Sequence, residues 1–254
     1  MYGVTQLDDI IYAVCPFNLP EERMVVWRFS ATMREQLTDT TVAGLGWSRD
    51  MAACERRSRL YVADYADCVW CVSAASQLKF VVSRRLKPWT LSVTCGRLLV
   101  TSRDTKALGW FDADGRELRP ICLPDYMEPL HAVESPTGTF IVSHFNRDLK
   151  QYQVSELDCE DRVLRHFAGS RLVPLGEPIH LAVDSRGMVF VADFDNCRVL
   201  LLDARLELHR VVIDEHQLNN KLPWRLCYKE RSGQLLVAFA GVGRCIAVFD
   251  VLRR

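Results

Sequence analysis

Three histidines, a close cysteine pair and two matching aspartates are the residues of this 254-residue chain whose types and spacing suit chemistry. His131 in EPLHAVES and His180 in EPIHLAVD share one context: Glu-Pro, an apolar residue, then the imidazole. With His144 they would offer three nitrogens, the number that a catalytic zinc commonly takes from protein while one position stays open. A plainer role fits the same pattern, since a histidine at a strand start can cap backbone carbonyls. The matching positions elsewhere hold Thr90 and Arg225, which do not extend a metal set. No metal or cofactor is assigned.

Cys68 and Cys71 form C-V-W-C, a spacing found in redox and zinc motifs. They fall on an expected strand, where residues three apart point to opposite faces. A redox pair favours a helix start, a structural zinc needs two further ligands, and no second C-x-x-C occurs. Asp64 and Asp193 each end a Val-Ala-Asp run. Their recurrence points to structure, with the carboxylate accepting hydrogen bonds from the following turn.

The elements that carry these residues repeat. RLYVADYADCVWCV from Arg59 and MVFVADFDNCRVLLLD from Met188 are copies of one unit, and their aspartates lie 129 residues apart, three steps of 43. Weaker copies place Cys15, Ser102, His144 and Phe239 in the same slot. A period of that size signals a β-propeller or a solenoid. Within the fifth unit IHLAVD, MVFVAD, RVLLLD and LHRVVI read as four short strands separated by turn residues. Four strands in each of six units predict an all-β, six-bladed propeller of antiparallel blades, its last blade short of a strand. The blades are expected at about 1–45, 46–86, 87–127, 128–175, 176–220 and 221–254, in a single domain. The histidines then start innermost strands of adjacent blades and face the channel mouth.

Blade five, EPIHLAVDSRGMVFVADFDNCRVLLLD, resembles the NHL repeat, and blade two keeps its Val-Ala-Asp with Val69 where the arginine of the repeat would stand. The resemblance implies a face that binds proteins or single-stranded RNA, as in tripartite-motif ubiquitin ligases. It also brings in propeller enzymes similar to this family: amidating lyases hold zinc with channel histidines, and lactonases hold calcium in a carboxylate and amide cage that has no counterpart found here. No RING or B-box spacing occurs, so ligase activity would lie outside this chain.

Composition agrees with one globular unit: 49% of residues are hydrophobic, and 32 basic residues balance 32 acidic ones. That balance gives no overall basic field to draw nucleic acid or anionic membrane. There is no apolar run of spanning length and no basic, then hydrophobic, N-terminal leader, so a cytoplasmic protein is expected. The ten cysteines, placed mostly inside strands, are expected as reduced core thiols.

Basic groups beside indoles recur ahead of three first strands: Trp47 with Arg49, then Arg84, Arg85 and Lys87 with Trp89, then Lys221, Trp224 and Arg225. Arginine and tryptophan dominate interface hot spots. The expected function is therefore a non-enzymatic scaffold that binds a protein partner through this loop face, with no small-molecule substrate and no membrane contact. The alternatives are stacking of single-stranded RNA on the same residues and a metal-dependent propeller enzyme. Propellers commonly close by one terminus completing the other's blade; here either the last blade has three strands or a segment ahead of Met1 supplies one.

Overall fold

The computed structural model describes residues 3–14, 25–30, 35–37, 40–42, 45, 48–64, 67–73, 77–81, 86–241 and 246–251. They form six antiparallel sheets in chain order. The first contains β1 (Gly3–Leu7), β2 (Ile10–Val14), β3 (Val25–Ser30) and β4 (Thr40–Thr41). The second contains β5 (Ser48–Cys54), β6 (Arg59–Asp64), β7 (Cys68–Val72) and β8 (Gln77–Val81). The third contains β9 (Thr90–Thr94), β10 (Arg97–Ser102), β11 (Ala107–Phe111) and β12 (Glu117–Ile121). The fourth contains β13 (Met127–Glu134), β14 (Phe140–Asn146), β15 (Gln151–Leu157) and β16 (Val163–Phe167). The fifth contains β17 (Pro178–Val183), β18 (Val189–Asp193), β19 (Arg198–Leu202) and β20 (Leu208–Ile213). The sixth has three strands among the described residues, β21 (Pro223–Lys229), β22 (Gln234–Phe239) and β23 (Ile246–Asp250).

The first strands β1, β5, β9, β13, β17 and β21 pack side by side in a closed ring, β21 returning against β1. The molecule is a six-bladed β-propeller. Second strands such as β6 and β18 lie between neighbouring sheets and are buried, β18 throughout and β6 from Leu60 on, which is why they read as apolar runs. The fourth strands β16 and β20 reach solvent, each burying only its last residue, Phe167 and Ile213.

Turn chemistry sets the hairpins. Cys95 and Gly96, both at positive φ, join β9 to β10 in two residues. Between β17 and β18, Asp184 Oδ1 accepts the N–H groups of Arg186 and Met188, and Gly187 takes φ 82°. Prolines 129, 178 and 223 stand inside the strand starts, next to a bulge that removes one residue from the ladder.

The cysteine expectation needs correction. Cys95 lies in a turn, Cys122 and Cys159 lie outside strands, and all three are exposed, whereas Cys54, Cys68 and Cys71 are buried. Cys68 and Cys197 each stand four residues after the aspartate of their Val-Ala-Asp, yet they are not equivalent in the structure. Val69 opposes Ala63 as Val199 opposes Ala192, so Cys68 takes the place of Arg198, because the fifth-sheet turn is one residue longer. Trp47, Arg84, Arg85, Cys15 and Cys245 lie outside the described residues.

Candidate functional site

The bulges place one residue of each first strand at the same depth in the ring. Asp50, Thr90, His131, His180 and Arg225 oppose Ala63, Thr101, Ser143, Ala192 and Ala238, and Gly3 opposes Val14 in the first sheet. Four of the five side chains follow a bulge, which turns them toward the axis. Each sheet thus contributes one position to a central layer.

Hydrogen bonds tie the layer together around the ring. Asp50 Oδ2 accepts the N–H of Leu91 on the next sheet at 2.8 Å. His131 Nδ1 accepts the N–H of Leu181 at 3.2 Å, and His180 Nδ1 accepts that of Leu226 at 3.3 Å. Thr90 donates its hydroxyl to Leu130 O at 3.2 Å. The next position after Arg225 is Gly3, which has no side chain, and Arg225 reaches on to the second sheet, donating Nε–H to Asp50 Oδ1 at 3.0 Å. A Cβ on Gly3 would lie 2.6 Å from the backbone nitrogen of Met51.

The two imidazoles stack with centroids 3.8 Å apart and planes 28° from parallel. Both are buried, His131 completely. Burial, with Arg225 adding positive charge, lowers the His131 pKa to about 3. Burial also holds His180 well below its ordinary value, helped by His131 and then Arg225. The rings are neutral at physiological pH. Burial pushes the Asp50 carboxyl up, while Arg225 and the Leu91 N–H pull it back.

Asp50, His131 and His180 bring one ligand atom each within 4.8 Å of one another, close enough in separation to hold an ion. Their protonation does not fit a metal. In both rings Nδ1 faces a backbone N–H and must be unprotonated, so the neutral tautomer carries its proton on Nε2. His131 Nε2–H accordingly points at Leu91 O, 3.4 Å away. A ligating Nε2 would need that proton moved to Nδ1, against the amide N–H, and the guanidinium of Arg225 already holds Asp50. These residues close the channel with bonds among themselves.

Below this layer the central bore, about 770 Å³, opens toward the first hairpin turns and reaches inward to the two imidazoles. His131 and His180 therefore stand at its inner end, where the sequence placed them at a mouth. His144 does not join them. It starts from a second strand, hydrogen-bonds Ser155 Oγ through Nε2 at 2.8 Å, and packs beside Tyr126. Burial lowers its pKa to about 4.

Arg225 was expected on the loop face and is instead buried, because the bulge at Trp224 turns it inward. The other members stay near that face. Arg49 and Arg103 both lie over the indole of Trp89, 5.3 and 5.8 Å from its centroid. Lys87 is exposed beside them, and its backbone N–H donates to Ser102 Oγ. Trp224 meets Phe194 edge-on at 5.6 Å, and Lys221 Nζ stands 5.5 Å from the Phe239 centroid. These two groups belong to the third and sixth sheets, opposite one another in a ring of six, and do not form one contact.

The Val-Ala-Asp carboxylates hold turns. Asp64 accepts Cys68 N–H at 3.0 Å and Trp70 Nε1–H at 2.8 Å. Asp193 accepts Gly176 N–H, Asn196 and Arg198 Nε–H. Sequence reasoning missed Asp50 and Arg103. Asp50 was accessible by counting, since it precedes Asp64 by 14 residues as Arg225 precedes Phe239. Arg103 lies in a turn with no repeat signature.

No known family model matches the chain, and no curated protein matches it. Solved structures do. The WD40 β-propeller domain of Doa1 superposes with a TM-score of 0.65 at 15% identity, covering 93% of this chain and 74% of that one. Hydrazine synthase of Kuenenia stuttgartiensis gives 0.66 at 14%, covering 98% and 96%. A chain of the nidogen/laminin complex gives 0.65 at 13%, covering 89% and 83%. What these share with the chain is the propeller. At such identities the likeness extends to the fold alone, and function must be argued from the residues.

Proposed function

We propose that this propeller is a non-enzymatic scaffold that binds a protein partner through the loop face centred on Trp89. The observation that carries this reading is the half-buried Trp89 indole with the guanidinium groups of Arg49 and Arg103 over it and Lys87 exposed alongside. A rigid aromatic anchor rimmed by arginine is the composition of an interface hot spot. The central layer supports the same conclusion from the other side, because its titratable groups are spent on internal hydrogen bonds.

Glu128, Glu177 and Asp195 share the loop face with these cations, and burial pushes the Glu177 carboxyl up against the pull of Arg103. A face of mixed sign suits a protein surface better than a phosphate backbone. Among the named structural neighbours, one is part of a complex between two proteins. A role as the recognition part of a larger ligase-like protein rests on the NHL resemblance of the second and fifth units. A reducing, cytoplasmic setting is supported by eight described cysteines that are all free thiols.

The test is affinity for a partner identified with the intact propeller. Trp89→Ala and the surface change Arg103→Glu should each weaken binding by about tenfold or more. Glu117→Ala, on an outer strand, should leave it unchanged. Equal binding by all three variants would overturn the reading, and binding abolished by ribonuclease would transfer it to RNA.

A further inference from the structure

The sixth sheet has no fourth strand among the described residues. In β11, β15 and β19 the third strand is mostly buried, whereas Ile246, Ala247, Val248 and Phe249 of β23 are all only half-buried. Each of those other third strands is covered by a fourth strand whose pattern repeats. Ile121, Phe167 and Ile213 oppose Leu108, Val154 and Val199, and are buried between neighbouring sheets. Two ladder positions away, Arg119, Arg165 and Arg210 oppose Trp110, Glu156 and Leu201.

Two of these arginines reach the next sheet: Arg119 pairs with Asp161 at 2.9 Å, and Arg210 donates to Val251 O at 2.8 Å. By the same pairing rule Ile246 of β23 corresponds to Leu108, Val154 and Val199, since it opposes Ala238 as they oppose Thr101, Ser143 and Ala192. Ile246 and Val248, with Phe29 of the first sheet and Cys227, are the partly buried members of the cluster joining the sixth sheet to the first. Glu35, exposed, lies in the connection between β3 and β4, the place in the first sheet that Asp161 holds between β15 and β16 in the fourth.

We infer that β23 is a docking edge for an extended segment of a partner protein, lying antiparallel to it, with an apolar residue opposite Ile246 and a basic residue opposite Val248. Main-chain ladder bonds would supply affinity and the two side chains the selectivity, as in strand addition to other exposed edges. The apolar residue completes the cluster between sixth and first sheets. The basic residue finds the charge of Glu35. This edge is separate from the Trp89 face, so either can fail alone.

The chain itself supplies a probe. A synthetic peptide with the sequence of residues 161–169, DRVLRHFAG, carries the pattern in the right spacing. Added to the intact protein, it should slow hydrogen exchange of the β23 amides by about tenfold. Peptides with Phe167→Asp or Arg165→Glu should protect much less, and Glu35→Lys in the protein should weaken the native peptide while favouring the Arg165→Glu version. Because the main changes are made in the peptide, folding of the protein is not in question. Protection that ignores the peptide sequence or maps elsewhere would overturn the inference. So would β23 amides already protected in the free protein, or protection that grows with protein concentration, which would mean a second copy covers the edge.

Discussion

Asp50 and Arg225, 175 residues apart in sequence, meet at 3.0 Å in the centre of the ring. The contact joins the second sheet to the sixth past the side-chain-free position of Gly3, so one ion pair spans the closure of the propeller. Both residues are 1% exposed. Such a pair is costly to desolvate and costlier to break.

Removing either charge alone should therefore destabilise the fold by about 3–5 kcal/mol, while Asp50→Asn with Arg225→Met together should recover much of the loss. Urea unfolding of the two single variants and the double variant measures this directly. Additive losses would show that the pair contributes nothing as a pair.

Gly3→Ala tests the gap in the same layer. The new methyl group would sit 2.6 Å from Met51 N, and the neighbour is backbone, which cannot swing away. A cost of about 1–3 kcal/mol is expected, read as a lowered urea midpoint with an unchanged slope.

Acid should unfold the protein through its buried imidazoles. Unfolded histidines take up protons near pH 6.5, whereas folded His131 holds out to about 3, His144 to about 4, and His180 stays well below its ordinary value. Between those limits the unfolded state binds more protons, so stability is full above about pH 6.5 and falls as pH falls, by about 1.4 kcal/mol per unit for each group. His131→Asn keeps an acceptor for the Leu181 N–H and should reduce the proton uptake on unfolding at pH 5.5 by about one. An unchanged acid slope in that variant would contradict the burial of a neutral ring.

The tautomer has its own signature. Nitrogen NMR at neutral pH should show His131 and His180 protonated at Nε2 and bare at Nδ1. Zinc added in equal amount should leave both spectra unchanged. Movement of their Nε2 resonances on zinc addition would restore the metal reading.

Asp64 offers a test of the turn role. Asp64→Ala removes the carboxylate that accepts from the buried Trp70 Nε1–H and the Cys68 N–H. A loss of about 1–3 kcal/mol is expected. Red-shifted tryptophan emission should accompany it, since the turn that shields Trp70 would loosen.

Much of the architecture was legible because its signals are local. Val-Ala-Asp in two units set the phase, and Gly138, Gly187 and Gly233 stand in hairpins at positive φ, which glycine takes without steric cost. The equivalence of Thr90, His131, His180 and Arg225 was also readable from their distance to the slot. Their environment was not, because whether Arg225 points to solvent or to Asp50 depends on a bulge at Trp224 and on a partner from a sheet far off in sequence. Arg103 beside Trp89 is a contact across turns of different origin, which no periodicity encodes. Cysteine placement failed for a related reason: Cys95 and Cys197 occupy positive-φ turn positions directly beside strands, and residue type alone does not separate the two.

The bonds by which this layer accepts backbone N–H groups run one way round the axis, from Asp50 to Leu91, His131 to Leu181 and His180 to Leu226. What that position demands is only an atom able to face the next strand's backbone, and carboxylate and imidazole satisfy it equally, with threonine serving through a carbonyl. Different residue types can thus fill equivalent places while the wheel keeps its handedness. The shape asks for little shared alphabet, and the chain superposes on other propellers over nearly its full length with about one residue in seven in common.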